Sequence, residues 1–165
     1  MQKTVIIPGS FDPVTLGHYR LVSETARLFD RVIVALMDNV GKKYLFSAHA
    51  RELFCREAFS CLENVTVARF GGQLCDVCKK VGAAAIVKGV RNCIDFEYEY
   101  DYFVGNKILT GGLPTVFIPS DPALRHVSSS AVRELLKIGA DLTGFVPEGT
   151  EETMRNLYQE IRYLS

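Results

Sequence analysis

The sequence predicts one α/β domain built on a doubly wound, five-stranded parallel sheet with a C-terminal helix. Five short runs rich in Val, Ile and Ala recur along the chain, and a helix-length amphipathic segment follows each of them. The apolar runs are nearly continuous rather than alternating, which is typical of parallel strands covered on both faces. This regular alternation of strand and helix is that of a Rossmann-like fold.

The predicted elements are short and separated by polar loops. Strands are expected at residues 4–7, 32–36, 65–68, 85–87 and 115–118. Helices are expected at about 17–28, 47–60 with Ser47 as the N-cap, 73–81, 94–109, 128–139 and 148–164. The side chains of the first helix that should face the sheet are those of Leu21, Val22, Thr25 and Leu28.

Length and composition indicate a single domain over residues 1–165. The chain is 48% hydrophobic and 23% charged, which suffices for one sizeable core. Its 19 basic and 19 acidic residues cancel, so no global field favours nucleic acid or an anionic membrane, and an anion site must be a local cluster. The sequence has neither an apolar run of roughly 20 residues nor a signal-peptide pattern, and we therefore expect a cytoplasmic protein.

The cysteines argue against a disulfide framework, because there are five of them in a chain large enough to fold without cross-links. Cys75 and Cys78 have CxxC spacing, but they begin a predicted helix, and no second CxxC pair completes a zinc tetrad. We interpret the cysteines as structural or incidental. The three histidines are scattered, so no metal-ligand cluster is predicted.

The stretch from Thr4 to His18 is typical of a phosphate site. A strand that leads into a helix N-terminus offers an anion unpaired N–H groups and the positive end of the helix dipole. Gly9 and Gly17 allow the backbone to approach a ligand closely. Ser10 adds a hydroxyl, and His18 can donate to a phosphoryl oxygen. The alternative is a turn that only caps the helix.

Three cations follow predicted strands. Lys42 lies in the loop after the second strand, and without further context it would more often be a solvated lysine. Lys88 and Arg91 follow the fourth strand, and two neighbouring bases at one strand end favour an anion between them. The carboxylates that could pair with them in place of a phosphate are those of Asp95, Glu97 and Glu99.

Three consecutive serines, Ser128, Ser129 and Ser130, precede the helix that follows the fifth strand. One hydroxyl is enough for an N-cap, and capping alone could explain a serine here. The other two hydroxyls and the N–H groups of the first turn are then available to a triphosphate.

These segments together resemble a known family. The signature of the nucleotidyltransferase superfamily with the (H/T)xGH motif is similar to Pro8-Gly9-Ser10-Phe11-Asp12-Pro13 followed by Thr15-x-Gly17-His18. The order and spacing of bacterial phosphopantetheine adenylyltransferases are matched by Lys42-Lys43, Lys88-Gly89-Val90-Arg91, Asp95-Phe96-Glu97-Tyr98-Glu99 and Val127-Ser128-Ser129-Ser130-x-Val132-Arg133. The resemblance spans nearly the whole chain.

The resemblance implies the penultimate step of coenzyme A synthesis, in which ATP and 4′-phosphopantetheine give dephospho-CoA and pyrophosphate. It also implies the strand order 3-2-1-4-5 and a homohexamer with coenzyme A as a feedback ligand. The residues it implies for ATP are Ser10, Phe11, His18, Lys88, Gly89, Val90, Arg91, Glu99, Leu124, Arg125, His126, Val127, Ser128, Ser129 and Ser130. Those it implies for the acceptor are Ser10, Lys42, Leu74 and Lys88, and those for catalysis are His18, Lys42 and Arg91.

One residue departs from the family pattern, because Lys88 stands where the family commonly has Arg. Arginine grips an oxyanion with a planar fork, whereas lysine is a compact point charge on a flexible stem. We expect Lys88 to contact the acceptor phosphate directly. The alternative is that it turns toward Asp95 or Glu97.

The chemistry expected at such a site is positioning and charge stabilisation. The sequence shows no nucleophile–base pair, so we expect direct in-line attack by the acceptor phosphate on the α-phosphate of ATP. Magnesium should arrive with ATP, because few carboxylates line the predicted site. The rivals are a transferase acting on nicotinamide mononucleotide or a cytidylyl transferase, and, from other classes, a non-catalytic nucleotide sensor or an oxidoreductase. The GxGxxG fingerprint expected of the oxidoreductase is absent.

Overall fold

A computed structural model describes residues 3–39 and 41–164 of the chain. The strands are β1 (Thr4–Gly9), β2 (Arg31–Met37), β3 (Val65–Phe70), β4 (Ala85–Val90) and β5 (Thr115–Pro119). The helices are α1 (Leu16–Leu28), α2 (Ala48–Ala58), α3 (Leu74–Val81), α4 (Cys93–Leu109), α5 (Ser129–Ile138) and α6 (Glu151–Leu164), with a 3-10 turn at Pro122–Leu124. No helix in the described ranges has the length and apolar character needed to cross a bilayer.

The five strands form one parallel sheet in the order β3-β2-β1-β4-β5, which confirms the predicted fold class and strand order. Strand β1 is central and pairs with β2 on one side and β4 on the other. The chain therefore changes its direction of winding at β1. Ligands of such sheets bind beyond the carboxyl ends of the strands at this switch point.

Alternate side chains of the strands supply two apolar cores, one on each face of the sheet. Val5 and Ile7 belong to the larger core, together with residues of α1, α2, α5 and α6. Ile6 and Ile33 belong to the smaller core, which α3 covers. Burial on both faces explains why the strand sequences lack a polar alternation.

The ends of several helices follow local signals in the sequence. Ser47 caps α2 and Ser128 caps α5, each by accepting a hydrogen bond from a backbone N–H of the first turn. Gly139 ends α5 with a φ of 69°, a conformation that costs glycine little. The bounds of the predicted helices are therefore confirmed to within a few residues, with one exception at α6.

Two details of the predicted helices are wrong. Helix α6 begins at Glu151 rather than near 148, because Thr150 closes a turn on the carbonyl of Pro147 and Gly149 has a φ of 84°. The face of α1 that meets the sheet is formed by Val22 and Thr25, whereas Leu28 is 68% exposed. Leu28 is the last residue of α1, and Phe29, which follows it, packs against the larger core.

Helix α4 exposes most of its aromatic residues to solvent. We expected them to lie in the core or in a subunit contact, and the core interpretation is wrong because no residue of α4 is buried. Tyr98 is 60% exposed and Tyr102 is 52% exposed. Phe96 and Phe103 contact Phe117 of β5 edge-on, and these contacts hold the helix on the sheet.

Candidate active site

A cleft of about 950 Å³ lies over the carboxyl ends of β1 and β4. Its wall combines the β1–α1 loop, the loop after β2, the end of β4, α4 and the N-terminus of α5. The predicted site residues that line it are Ser10, Phe11, His18, Lys42, Lys88, Gly89, Arg91, Glu99, Val127, Ser128, Ser129 and Ser130. The four chain segments selected from the sequence, namely residues 4–18, the loop of Lys42, residues 88–91 and residues 128–130, thus meet at one place.

A smaller recess of about 30 Å³ adjoins the cleft, and both are lined by Gly17, Arg91 and Val127. Leu124 lines the recess. Four predicted residues line neither space. Val90 ends β4 and accepts a hydrogen bond from the Ser120 N–H, Arg125 and His126 are exposed, and Leu74 packs on the smaller core.

The tautomer of His18 is fixed by the backbone of Thr15. The Thr15 N–H donates to Nδ1 of His18 over 3.1 Å. A nitrogen that accepts a hydrogen bond carries no proton, so the neutral ring has its proton on Nε2. The same two residues form a capping box, in which the Thr15 hydroxyl accepts from the His18 N–H. The first turn of α1 therefore holds His18 as a donor through Nε2.

The charge state of His18 follows from its surroundings. Burial and, to a smaller extent, the positive charge of the neighbouring Arg91 guanidinium together lower its pKa from the ordinary 6.5 to about 4. The ring of Phe11 lies 4.9 Å from the imidazole and contributes to this apolar environment. His18 is consequently a neutral hydrogen-bond donor at neutral pH.

The β1–α1 loop is shaped by a close approach between Gly9 and Phe11. A Cβ at position 9 would lie 2.9 Å from Cε2 of Phe11, so only glycine fits there. Phe11 itself has a φ of 49°, which is uncommon for a residue with a side chain. This turn buries the Phe11 ring beside His18 and leaves Ser10 at the cleft.

Two cations at the end of β4 are each paired with a carboxylate of α4. Lys88 lies within β4, because the strand runs three residues beyond its predicted end at residue 87, and Arg91 directly follows it. Lys88 Nζ lies 3.0 Å from Oε2 of Glu99, and Arg91 Nε lies 2.7 Å from Oδ2 of Asp95. Arg91 lowers the pKa of Asp95 below its usual range, chiefly through this side-chain hydrogen bond. Glu99 was among the three carboxylates expected to pair with these cations, but the partner of Lys88 is neither Asp95 nor Glu97, the two toward which we considered that it could turn.

The three serines at the start of α5 have three different partners. Ser128 caps the helix, Ser129 donates to the Pro13 carbonyl over 2.8 Å, and Ser130 accepts from Nη2 of Arg133 over 3.0 Å. The O–H of Ser130 remains available to donate, whereas that of Ser129 is committed. Of the two surplus hydroxyls that we expected to be available, only that of Ser130 has its proton free.

Three supporting residues escaped the sequence analysis. Asp12 accepts hydrogen bonds from the N–H groups of Leu45 and Phe46, and Arg133 donates to the Asp12 carbonyl over 2.6 Å. Arg51 is 2% exposed and contacts both the β1–α1 loop and the loop after β2. Asp12 and Arg133 lie within the motifs already quoted, but nothing local distinguishes Arg51 from a surface arginine of an amphipathic helix.

Comparison with known proteins identifies the family of this chain. Residues 6–135 match the model of the cytidylyltransferase-like family. A phosphopantetheine adenylyltransferase from Caldanaerobacter subterraneus is 39% identical over 96% of this chain and 99% of its own length. Another from Rubrobacter xylanophilus is 42% identical over 93% of each chain. The chain belongs to the phosphopantetheine adenylyltransferase family.

The fold also has solved counterparts outside the phosphopantetheine adenylyltransferases. A structure from Vibrio parahaemolyticus, provisionally assigned as a nicotinate-nucleotide adenylyltransferase, superposes with a TM-score of 0.72 over 97% of each chain. Its sequence is 19% identical, so it supports the fold alone.

The carboxylates of the cleft are unsuited to hold a magnesium ion by themselves. Asp12 is occupied by two backbone N–H groups, and Asp95 and Glu99 are occupied by cations. Within residues 3–39 and 41–164, no three His, Cys, Asp or Glu side chains come together as metal ligands would. In this member of the phosphopantetheine adenylyltransferases, a resident metal does not fit the side chains of the cleft.

Proposed function

We propose that this protein transfers the adenylyl group of ATP to 4′-phosphopantetheine and releases pyrophosphate. Membership of the phosphopantetheine adenylyltransferase family supports the reaction. The observation that carries the proposal is the meeting of His18, Lys42, Lys88 and Arg91 in one cleft at the switch point of the sheet. These four side chains can donate hydrogen bonds to phosphate oxygens, and none of them is needed as a nucleophile when one substrate phosphate attacks the other.

The mechanism that this geometry supports is a direct displacement. A phosphate oxygen of the acceptor forms a bond to the α-phosphorus of ATP while the bond from that phosphorus to the bridging oxygen breaks, and pyrophosphate leaves with the electron pair. Neutral His18 donates its Nε2–H to an oxygen of the α-phosphate, and Lys42 and Arg91 stabilise the remaining charge. The chain needs neither a general base nor a covalent intermediate, because the attacking phosphate is already an anion.

We assign the two substrates to the two ends of the cleft. The N-terminus of α5, with the Ser130 hydroxyl and its unpaired N–H groups, suits the triphosphate of ATP. Ser10 and Lys42 lie on the loops after β1 and β2, Lys88 lies near the carboxyl end of β4, and all three suit the phosphate of the acceptor. Glu99 cannot attract phosphate, so it orients Lys88 or accepts from a ribose hydroxyl.

Magnesium completes the proposal as an ion that arrives with ATP. Its ligands would be phosphate oxygens and water, since Mg²⁺ keeps several waters and binds through substrate phosphates in many enzymes. The ion would offset the charge of the triphosphate. No residue of the cleft is assigned to it.

The decisive experiment is measurement of pyrophosphate release with matched substrates. ATP with 4′-phosphopantetheine should release pyrophosphate, whereas nicotinate or nicotinamide mononucleotide as acceptor, or CTP as donor, should release at least a hundredfold less. Preference for another acceptor would assign the protein to a different transferase. Binding of ATP without pyrophosphate release from any acceptor would identify a nucleotide sensor.

We also propose a homo-oligomer, with the hexamer as the form that the resemblance implies. The exposed face of α4 supports association, since Ile94 is 77% and Ile108 is 76% exposed beside Tyr98 and Tyr102. Isolated apolar residues are ordinary on a surface, but a row of them along one helix marks a contact site. Light scattering after size-exclusion chromatography should give about six times the chain mass, and a monomer at micromolar concentration would contradict the proposal.

Two further aspects follow from the same reaction. Dephospho-CoA as the product and coenzyme A as a feedback ligand would compete with the substrates for the cleft, because both contain the pantetheine and adenylyl parts. A cytoplasmic location suits a reaction that consumes ATP. All five cysteines are free thiols, as expected in a reducing compartment.

A further inference from the structure

The guanidinium of Arg51 is buried, yet all its hydrogen bonds go to loops of the cleft. Nη1 donates to the Ser10 carbonyl over 2.9 Å, and Nε donates to the Phe46 carbonyl over 3.2 Å. Nη2 lies 2.5 Å from Oδ1 of Asp38, which follows the end of β2. The face of the guanidinium lies 4.2 Å from the centroid of the Tyr44 ring. Arg51 therefore joins the β1–α1 loop to the described residues 38, 39 and 41–46, here called the Lys42 loop.

The contacts of Arg51 lie at both ends of the Lys42 loop. Asp38 is its first residue and Phe46 its last, and Lys42 lies between them on the exposed side that lines the cleft. The Tyr44 hydroxyl accepts from the Asn39 N–H over 2.6 Å, which closes the middle of the loop. A lysine on a loop without such contacts would reach a wide volume, whereas here Asp38, Asn39, Tyr44 and Phe46 are all held by hydrogen bonds.

We propose that Arg51 is a positioning residue, which sets the distance of Lys42 from Ser10 and His18 and so enables Lys42 to act on the transferred phosphate. The inference rests on the function proposed above. A buried cation costs free energy unless its donors are satisfied, and arginine can satisfy three separate acceptors with one rigid plane. A lysine at position 51 would keep the charge and lose that geometry.

A neighbouring arginine shows what a purely structural role on the same helix looks like. Arg56 is 57% exposed and pairs with Glu52 within α2, and it touches neither loop of the cleft. Arg56→Lys is therefore the matched control for Arg51→Lys. Because Arg51 is buried and its replacement could impair folding, Asp38→Ala is the second variant. The Asp38 side chain is 60% exposed.

The test is a double-mutant cycle on kcat in the full-length protein. Arg51→Lys and Asp38→Ala should each lower kcat at least tenfold in the otherwise unchanged chain, and less than twofold in the background of Lys42→Ala, because the function they support is already gone. Amide hydrogen exchange at Lys42, whose N–H donates to the Asn39 carbonyl, should become faster in both variants. Arg56→Lys should change neither quantity.

Equal losses of kcat in both backgrounds would overturn the inference, as would unchanged exchange at Lys42. In either case the unmodified protein still releases pyrophosphate, and the proposed function stands. An unmodified protein that releases no pyrophosphate would overturn the function and the inference together. The two failures are thus told apart by the first assay of the series.

Discussion

Lys88 Nζ lies 3.0 Å from Oε2 of Glu99, and both side chains are about three-quarters buried at the edge of the cleft. The cation that we assign to the acceptor phosphate is therefore held by a carboxylate before any ligand binds. An ammonium has three donors, so Lys88 can contact a phosphate without leaving Glu99. The pair fixes a flexible lysine where the family commonly has an arginine.

We predict that Lys88→Ala raises the KM for 4′-phosphopantetheine at least tenfold and changes the KM for ATP little. Lys88→Arg should be tolerated or should lower the acceptor KM, because a guanidinium grips phosphate with two parallel hydrogen bonds. Steady-state kinetics with each substrate varied in turn would measure both. An unchanged acceptor KM in Lys88→Ala would show that Lys88 does not bind the acceptor. The control is Lys137→Ala, because Lys137 is an exposed lysine that is also paired with a glutamate, Glu134.

His18→Ala should lower kcat by about 10²–10³, because removal of one donor aimed at the developing charge costs about 2.7–4 kcal/mol of barrier. Substrate binding should suffer less, and circular dichroism should show an intact fold. The comparison variant is His49→Ala, whose exposed side chain lies outside the cleft lining. Near-normal turnover of His18→Ala at saturating ATP would contradict the prediction and would show that His18 only caps α1.

The pH dependence of the ligand-free protein should reflect the low pKa of His18. Its folded pKa of about 4 lies below the ordinary 6.5, so on acidification the unfolded chain takes up this proton first. The contribution of His18 to stability is then complete above pH 6.5 and is lost as the pH falls toward 4. NMR titration of the imidazole should show no midpoint between pH 5.5 and 8, and a midpoint near 6.5 would contradict the buried neutral ring.

Replacement of two serines should separate ATP binding from fold maintenance. We predict that Ser129→Ala together with Ser130→Ala weakens ATP binding and leaves the affinity for 4′-phosphopantetheine largely unchanged. Ser129→Ala alone should also lower the free energy of unfolding by about 1 kcal/mol, because its hydrogen bond to Pro13 is lost. Calorimetric titration with each ligand and denaturant unfolding would measure these effects. Equal losses of both affinities would point to general damage of the α5 N-terminus.

Removal of divalent metal should stop turnover without affecting the free protein. The described part of the chain contains no cluster of metal-ligating side chains, so EDTA should leave the Tm of the ligand-free protein unchanged. Turnover should fall and return on addition of Mg²⁺, because the ion is proposed to accompany ATP. A drop in Tm with EDTA would reveal a metal held by the protein itself.

The fold was predictable from the sequence because its determinants are local and repeated. Continuous apolar runs identified the strands, and Ser47 and Gly139 marked the ends of helices that the structure shows. The exposure of α4 was not predictable, because a helix rich in aromatic residues has the same composition whether it packs against its own sheet or against another subunit. The start of α6 was missed because Gly149 and Thr150 form a turn on the Pro147 carbonyl directly before a strongly helical sequence.

The candidate site was predictable only in the residues that line it. His18, Lys42 and Arg91 follow the ends of β1, β2 and β4, and Lys88 lies near the end of β4. Parallel strands bring such ends together. Arg51 reaches Ser10 across 41 positions of sequence. No periodicity or spacing rule connects residues that far apart, so supporting contacts of this kind emerge only from the folded chain.

The central position of β1 has a consequence for synthesis of the chain. Val5 pairs with Val32 on one edge and with Ala85 on the other. During synthesis, the edge of β1 that pairs with β4 therefore stays unpaired after β2 has been made. About 50 further residues must be added before β4 is complete, which takes roughly 3–10 s at 5–20 residues per second. During that interval an apolar strand with an open edge is a template for wrong partners. The nascent chain is accordingly most exposed to aggregation before β4 leaves the ribosome.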